Sequence, residues 1–445
     1  MKNPVRQLFA QVKETGGCAA TGEMVRHESA AETEREVIDV TRDGMQHVTD
    51  DLVGTTVESA RTASRIVMTC DFMRTGEHIE FNQSINLKRM LDLLLPAIEA
   101  ATDLPVQTFP DPDGVDYRSL VSKLYATFGL EPSADAWAKT YHASSLTEFA
   151  DLTDQVSALL KEAFSGAVVI SFESSPMLRH IIERHAVAHI DVRMHFERFM
   201  DDLPLTFSSN SKPVRDAIRR FQIERNDVAQ QCRSIKSSTA ARQLPENTVV
   251  FMAQTRRDSS VITQDGNFFD IRPHMDKVST ILESYGTKNF LIKAHPIEPD
   301  SPVVKALLTL PGARLTNINA YELMCSDNVS AFVTFSSSTG HEAEAFGKPV
   351  HWISTGQPIR RYIPVMFEFR NAEFWRDVLL ALNVQVKKAH VEQRVEFQPE
   401  FVRQWFGMKR DGSLTQGPTQ TLIGGKLDSL KMRLSKWRGV RGTVS

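Results

Sequence analysis

The stretch Phe332–Trp352, FVTFSSSTGHEAEAFGKPVHW, begins apolar, crosses three serines, a threonine and a glycine, and turns helical before Gly-Lys-Pro and a second apolar run. Read physically, it is a strand handing over to a helix and then to another strand. A serine hydroxyl caps a helix by accepting from the free N–H groups of its first turn, and one cap needs one hydroxyl. The remaining hydroxyls, beside the positive end of a helix dipole, make a site for an anion such as phosphate.

Working outward, the same alternation repeats. TVVFMAQ (248–254), NFLIKAHP (289–296), ARLTNI (313–318), VSAFVTF (329–335) and PVHWIS (349–354) read as strands. DIRPHMDKVSTILESYG (270–286), PVVKALLTL (302–310), AYELMCSD (320–327) and GHEAEAFG (340–347) read as the helices between them. Short strands alternating with helices predict a parallel, doubly wound α/β sheet, whose ligands bind beyond the carboxyl ends of the strands. Upstream, RIVMTCDF from Arg65 and GAVVISFESSP (166–176) read as buried strands, and Asn86–Ala101 as an amphipathic helix kinked at Pro96.

At 445 residues the chain exceeds one ordinary core. The expected division is a polar extension over 1–60, a Rossmann-like domain over 61–240, a second over 241–390 and a helical segment over 391–445. The 41% hydrophobic and 24% charged fractions are those of an ordinary globular protein. A net charge of −3 provides no general attraction to nucleic acid. Cys18, Cys70, Cys232 and Cys325 are far apart, so neither a zinc knuckle nor a disulfide framework is expected, and a reducing cytoplasm is. The N-terminus lacks the apolar core of a signal peptide, and no stretch approaches eighteen consecutive apolar residues. Residues 426–441 hold six Lys or Arg and one Asp among leucines. Such a segment rests on anionic lipid, here the cytoplasmic face of an inner membrane, or packs its leucines on the domain.

Three chemically unusual sequences fall at strand ends of the second half. The first offers Gln254, Arg256, Arg257 and Asp258, the second Lys293, His295 and Pro296, the third Ser336, Ser337 and Ser338. In a parallel sheet these ends share one crevice, so a carboxylate, a histidine, cations and a helix N-terminus converge. Each element alone is an ordinary cap or turn. Their joint placement predicts a site for a phosphorylated ligand plus a reacting group.

The ordered set QTRRDSSV, LIKAHP and FSSSTGHEAEAFGKPVH resembles the capsular polysaccharide synthesis family, specifically its retaining β-Kdo glycosyltransferases, which use CMP-β-Kdo. The His-Pro and Ser-Ser elements are similar to those of bacterial sialyltransferases. FESSP and ERFMDDLPLTFSSN (197–210) resemble further segments of the β-Kdo enzymes, so the resemblance covers about residues 165–355. It implies a GT-B enzyme of two Rossmann-like domains, donor on the second and acceptor on the first. It implies phosphate contacts from His295, Ser336 and Ser337, and a metal-independent donor site with no cofactor. Arg256, Arg257 and Lys293 are candidates for the sugar carboxylate. Asp258 matches the family's aspartate and is the expected nucleophile of a double displacement. Glu173 is the candidate acid or base, with helix capping as its competing role. Glu342 is the candidate ribose or helix-position residue, and the acceptor is a surface glycan or glycolipid.

Competing readings use the same residues. PDPDG, with Asp111 and Asp113, is the only DxD triplet of metal-dependent sugar transferases, and its composition equally specifies a turn. An inverting CMP-sialic-acid-type enzyme would use Asp258 as a base. A noncatalytic GT-B scaffold has no need for Asp258, His295 and the serine cluster together.

Overall fold

The strongest apolar runs become buried strands of two separate sheets. The computed structural model describes residues 62–75, 82–111, 117–239, 243–256, 258–354, 362–388 and 402–403. Arg257, Asp113, the 1–60 extension and the basic tail therefore lie outside the described residues.

In the first lobe, β1 (Arg65–Cys70), β2 (Val106–Thr108), β3 (Ala167–Phe172) and β4 (Ala188–Met194) run parallel. Ile66, Val168 and Ile190 are fully buried, as central strands covered on both faces require. Helices α1 (Asn82–Ala101), α2 (Tyr117–Thr127), α3 (Ala134–Tyr141), α4 (Ala150–Phe164) and α5 (Pro176–His185) intervene. α1 begins four residues before the expected Asn86, and Pro96 lies within it. In FESSP the second serine caps α5, Ser175 Oγ accepting from Leu178 N–H at 3.4 Å, and Pro176 fills the first turn. The cap is thus Ser175, which leaves Glu173 at the strand end without that duty.

Two strands correct the expectation of a wholly parallel first sheet. β5 (Leu205–Ser209) lies antiparallel to β4, and β11 (Ile363–Val365) lies antiparallel to β5, giving the order β2-β1-β3-β4-β5-β11. α6 (Lys212–Arg219) follows β5, and α12 (Ala372–Leu380) packs against α1 and α6. Residues 363–380 were expected in the second domain and instead close the first. The reason is packing: Phe374 and Trp375 meet Phe207 of β5 with ring centroids 5.2 and 6.3 Å away.

After α7 (Arg225–Ser238), the second lobe alternates as expected. β6 (Thr248–Met252), α8 (Met275–Ser284), β7 (Phe290–Lys293), α9 (Pro302–Leu307), β8 (Ala313–Leu315), α10 (Ala320–Cys325), β9 (Val329–Thr334), α11 (Ser338–Ala345) and β10 (Val350–Trp352) follow in turn. The sheet is parallel in the order β10-β9-β6-β7-β8, which is the Rossmann order with its reversal between β6 and β9. The expected helix over 270–286 is a 3₁₀ turn at Arg272–His274 and then α8. The chain therefore forms the expected α/β architecture of two Rossmann-like lobes. No helix among the described residues is long and apolar enough to cross a membrane.

Several contacts join the lobes. The β4–β5 connection inserts Phe199 and Met200 into the second lobe's cluster with Leu323, Met324 and Phe346, where Phe199 is fully buried. A turn at Gly266 (φ 72°) lies so close to α3 that a Cβ there would stand 2.9 Å from Lys139 Cα.

Gly340 sets how closely α11 approaches its sheet, because a Cβ there would meet the Trp352 ring at 2.5 Å and Thr334 Cγ2 at 3.0 Å. Gly340→Ala should destabilise the chain by about 1–3 kcal/mol through overpacking, measured by urea unfolding. Unchanged stability would show that Trp352 moves aside freely.

Candidate functional site

At the switch point of the second sheet the ends of β6 and β9 are stitched together by one side chain. Gln254 Oε1 accepts the Ser336 backbone N–H at 3.0 Å, and Gln254 Nε2 donates to Ser260 Oγ at 2.8 Å. Ser336 Oγ donates to the Ser260 carbonyl. Asp258 opens the turn that follows: its Oδ1 accepts from Ser260 N–H at 2.9 Å and Ser260 Oγ at 3.0 Å. Among the described residues Asp258 Oδ2 has no hydrogen-bond partner, so one oxygen is clamped and the other is available.

The serine cluster divides its work differently from the expectation. Ser337 caps α11, accepting from Thr339 N–H at 3.2 Å, and is 8% exposed. Ser336 is tied to Gln254 and Ser260. Ser337 thus has a structural duty, and the hydroxyl without a partner among the described residues is that of Ser338, the first residue of α11. Its position at a helix N-terminus suits an anion.

His295 follows β7, and its Nδ1 accepts the Ile297 N–H at 3.2 Å. That bond assigns the proton of the neutral ring to Nε2, which becomes a donor. Burial pushes the imidazole pKa down; Asp258 and Glu298 pull it up, and Arg198 pushes it further down. Lys293, at the end of β7, is likewise lowered by burial against the opposing pull of Glu322. Arg256 is half-exposed and engaged with Glu298, its N–H donating to Oε2 at 2.7 Å and its Nε 3.8 Å from Oε1. Pro296 is exposed beside His295. A cavity of about 270 Å³ opens at the end of β6, lined in part by Gln254, Arg256, Phe269 and Phe335. It is smaller than a site that encloses a whole nucleotide sugar.

Across from these groups, Glu173 ends β3 at the switch point of the first sheet, between β3 and β1. Its backbone is left-handed, φ 50°, a conformation that costs a residue with a side chain and collects at functional positions. The loop is held from both sides: Ser174 N–H donates to Asp191 Oδ1 at 3.2 Å and Arg193 donates to the Ser174 carbonyl at 2.8 Å. Asp191 also accepts from Arg193 Nε at 2.9 Å and Tyr362 OH at 2.8 Å. Burial raises the Glu173 carboxyl; Arg74 and Arg193 oppose, while Asp258 and Asp191 add to the rise. Arg74 lies 3.8 Å from Glu173 Oε2 and over the Trp137 ring at 5.0 Å. Trp137 Nε1 donates to Asp71 Oδ2 at 3.0 Å, and burial pushes that carboxyl up to about 6. Asp258 is thus within electrostatic reach of both Glu173 and His295.

Glu342 fills the helix-position role that was one of its two expected readings. It is 4% exposed, and its Oε1 accepts from Arg198 N–H at 2.9 Å and Tyr321 OH at 2.8 Å. It therefore ties α11 to the loop of the first lobe. Arg198 and Asp71 carry no role in the sequence reading. Arg198 lies in the quoted segment 197–210, but a lone arginine in a polar run has no distinguishing pattern. Asp111 is the only member of the DxD triplet within the described residues.

Burial pushes the Glu342 carboxyl up to about 7 from an ordinary 4.5, against the opposing effects of Arg198 and Tyr321. Between those pH values the folded chain holds a proton that the unfolded chain has released, so stability falls as pH rises through that window. Glu342→Gln should flatten the fall, which urea unfolding across pH 4.5 to 7 would measure. An identical profile in the variant would place the titration elsewhere.

No protein-family model matches the chain, and no curated protein matches it. Among solved structures it is similar to Thermosulfurimonas dismutans KpsC, a beta-Kdo 2,7-transferase, at 13% identity and a TM-score of 0.30, over 52% of this chain and 80% of that one. It is also similar to Methanocaldococcus jannaschii UDP-GlcNAc 2-epimerase in complex with UDP-GlcNAc and UDP, at 10% identity and a TM-score of 0.26, over 73% and 94%. At such scores neither likeness bears on activity, and the architecture rests on the chain's own strand order and register.

Proposed function

We propose that the protein is a retaining glycosyltransferase that moves Kdo from CMP-β-Kdo to a glycan or glycolipid acceptor, with Asp258 as nucleophile. The observation that carries this reading is Asp258 itself. One of its oxygens is fixed by two Ser260 donors, and it lies within electrostatic reach of Glu173 on one lobe and His295 on the other. A carboxylate so held suits attack on an oxocarbenium-like centre.

In the first step an Asp258 oxygen bonds to the anomeric carbon while the bond from that carbon to the phosphate oxygen breaks. CMP leaves with the electron pair. His295 Nε2–H and Ser338 at the start of α11 offer donors to the departing phosphate. In the second step Glu173, as carboxylate, removes the proton of the acceptor hydroxyl, whose oxygen attacks the same carbon and releases Asp258. Two inversions retain the configuration. Of the two expected carboxylate ligands among the described residues, Arg256 is engaged with Glu298, and Lys293 is the one assigned to the sugar carboxylate.

The basic segment 426–441 is proposed to hold the enzyme at an anionic membrane surface, where a lipid-linked acceptor would lie. Neutralising Lys431, Arg433 and Lys436 together should reduce binding to anionic vesicles in a salt-sensitive way. Equal binding would assign the segment to packing.

The deciding experiment is mass spectrometry of the intact chain mixed with freshly generated CMP-β-Kdo, followed by peptide mapping. A Kdo adduct is expected on Asp258. Asp258→Asn, which keeps the oxygen that caps the turn, should lose transfer by roughly 10³-fold or more while still binding CMP. CMP binding with no adduct, together with a product of inverted configuration, would replace this mechanism by the inverting one.

A further inference from the structure

Arg198 has a firmly held backbone and a side chain that makes no hydrogen bond or ion pair among the described residues. Its N–H donates to Glu342 Oε1 at 2.9 Å and to the Phe196 carbonyl at 2.8 Å, and its carbonyl accepts from the Arg403 guanidinium. The next residues, Phe199 and Met200, are buried in the second lobe's core. Asp202 is fully buried and accepts from Val402 N–H at 2.9 Å and Arg403 N–H at 2.8 Å. Few loops are anchored from so many directions.

The guanidinium, by contrast, makes no hydrogen bond or ion pair among the described residues, and its Nε is buried without a partner. Glu342, the carboxylate nearest in the bonding pattern, already spends Oε1 on the Arg198 backbone and Tyr321. The Glu342 carboxyl feels the guanidinium's charge but is itself pushed toward its neutral form by burial, so the cation is left without an ion pair among the described residues, where an anion can dock. The loop lies against the start of α11, Phe196 meeting the His341 ring at 4.6 Å between centroids and Arg198 N–H bonding to Glu342, and the Arg198 charge reaches His295, whose imidazole it pushes down. Planar guanidinium forks match phosphate oxygens in pairs, as a lysine does not.

We infer that Arg198 is the first lobe's ligand for the phosphate of the nucleotide, binding it together with His295 so that both lobes hold the leaving group. This rests on the reading of the site as one for a CMP-linked donor. It adds a phosphate contact from the acceptor lobe, where the sequence predicted all such contacts on the donor lobe. The charge that develops on the departing phosphate would then be met by a cation as well as by neutral donors.

Calorimetric titration of CMP and of cytidine into the full chain tests this. In Arg198→Gln the CMP affinity should fall about 10- to 100-fold while the cytidine affinity is unchanged, because only the former has the phosphate. Arg198→Lys should recover part of the loss, and thermal melts of both variants check that the loop stays folded. Equal loss for CMP and cytidine would mean that Arg198 only shapes the site, and an unchanged CMP affinity would remove it from the site. Should the wild-type chain bind no CMP, the donor reading itself fails and Arg198 with it. A His295→Ala variant that loses CMP while Arg198→Gln does not would overturn Arg198 alone.

Discussion

A buried carboxylate on α11 accepts the backbone N–H of a loop that belongs to the other sheet, and the relation of the lobes depends on this bond. Glu342 is 4% exposed, so a lone charge there would be severely disfavoured. Two donors, Arg198 N–H and Tyr321 OH, converge on the same oxygen, and burial drives the carboxyl toward its neutral form. Once that bond is made, Phe199 and Met200 enter the second core, and each apolar side chain buried there contributes roughly 1.5–3 kcal/mol. Polar registration and apolar burial thus act on adjacent residues, and the loop has little freedom left.

The same economy governs the serine run. A strand-to-helix handover in a parallel sheet creates unsatisfied N–H groups at the helix start and a gap between neighbouring strand ends. Ser337 answers the first need and Ser336, through Gln254, the second. Only after both are met is a hydroxyl, that of Ser338, left without a partner among the described residues. Gly340 completes the arrangement by letting α11 lie against Trp352 and Thr334.

Much of the second lobe was legible because β6 and β9 are continuous apolar runs and three of the helices open with a recognisable cap, Ser301 for α9, Asn319 for α10 and Ser337 for α11. The edges of the first sheet were not. β11 is three residues long and pairs with β5 about 150 residues earlier, and no local periodicity encodes such a partner. The grouping of Gln254, Asp258, Ser336 and His295 follows from the strand-end rule and needs no long-range information. Of the two readings open for Glu342, ribose contact or helix position, the sequence could not choose, because its partner Arg198 lies 144 residues away. Arg198 escaped notice for the same reason: what distinguishes it is a buried Nε with no hydrogen-bond partner among the described residues, which a sequence does not display.

The two groups flanking Asp258 are driven toward neutral forms by the same cause acting on opposite chemistry. Burial disfavours the charged form of each, raising the Glu173 carboxyl and lowering the His295 imidazole. The cost of holding Glu173 at φ 50° is offset by a network that fixes both neighbours: its own N–H donates to the Val192 carbonyl at 3.0 Å, and Asp191 and Arg193 hold Ser174. A strained residue persists only where its surroundings over-determine it. The chain from Tyr362 through Asp191 and Arg193 to Ser174 is therefore a scaffold for one carboxylate, and its hydrogen bonds are what keep Glu173 at the mouth of the first sheet, within electrostatic reach of Asp258.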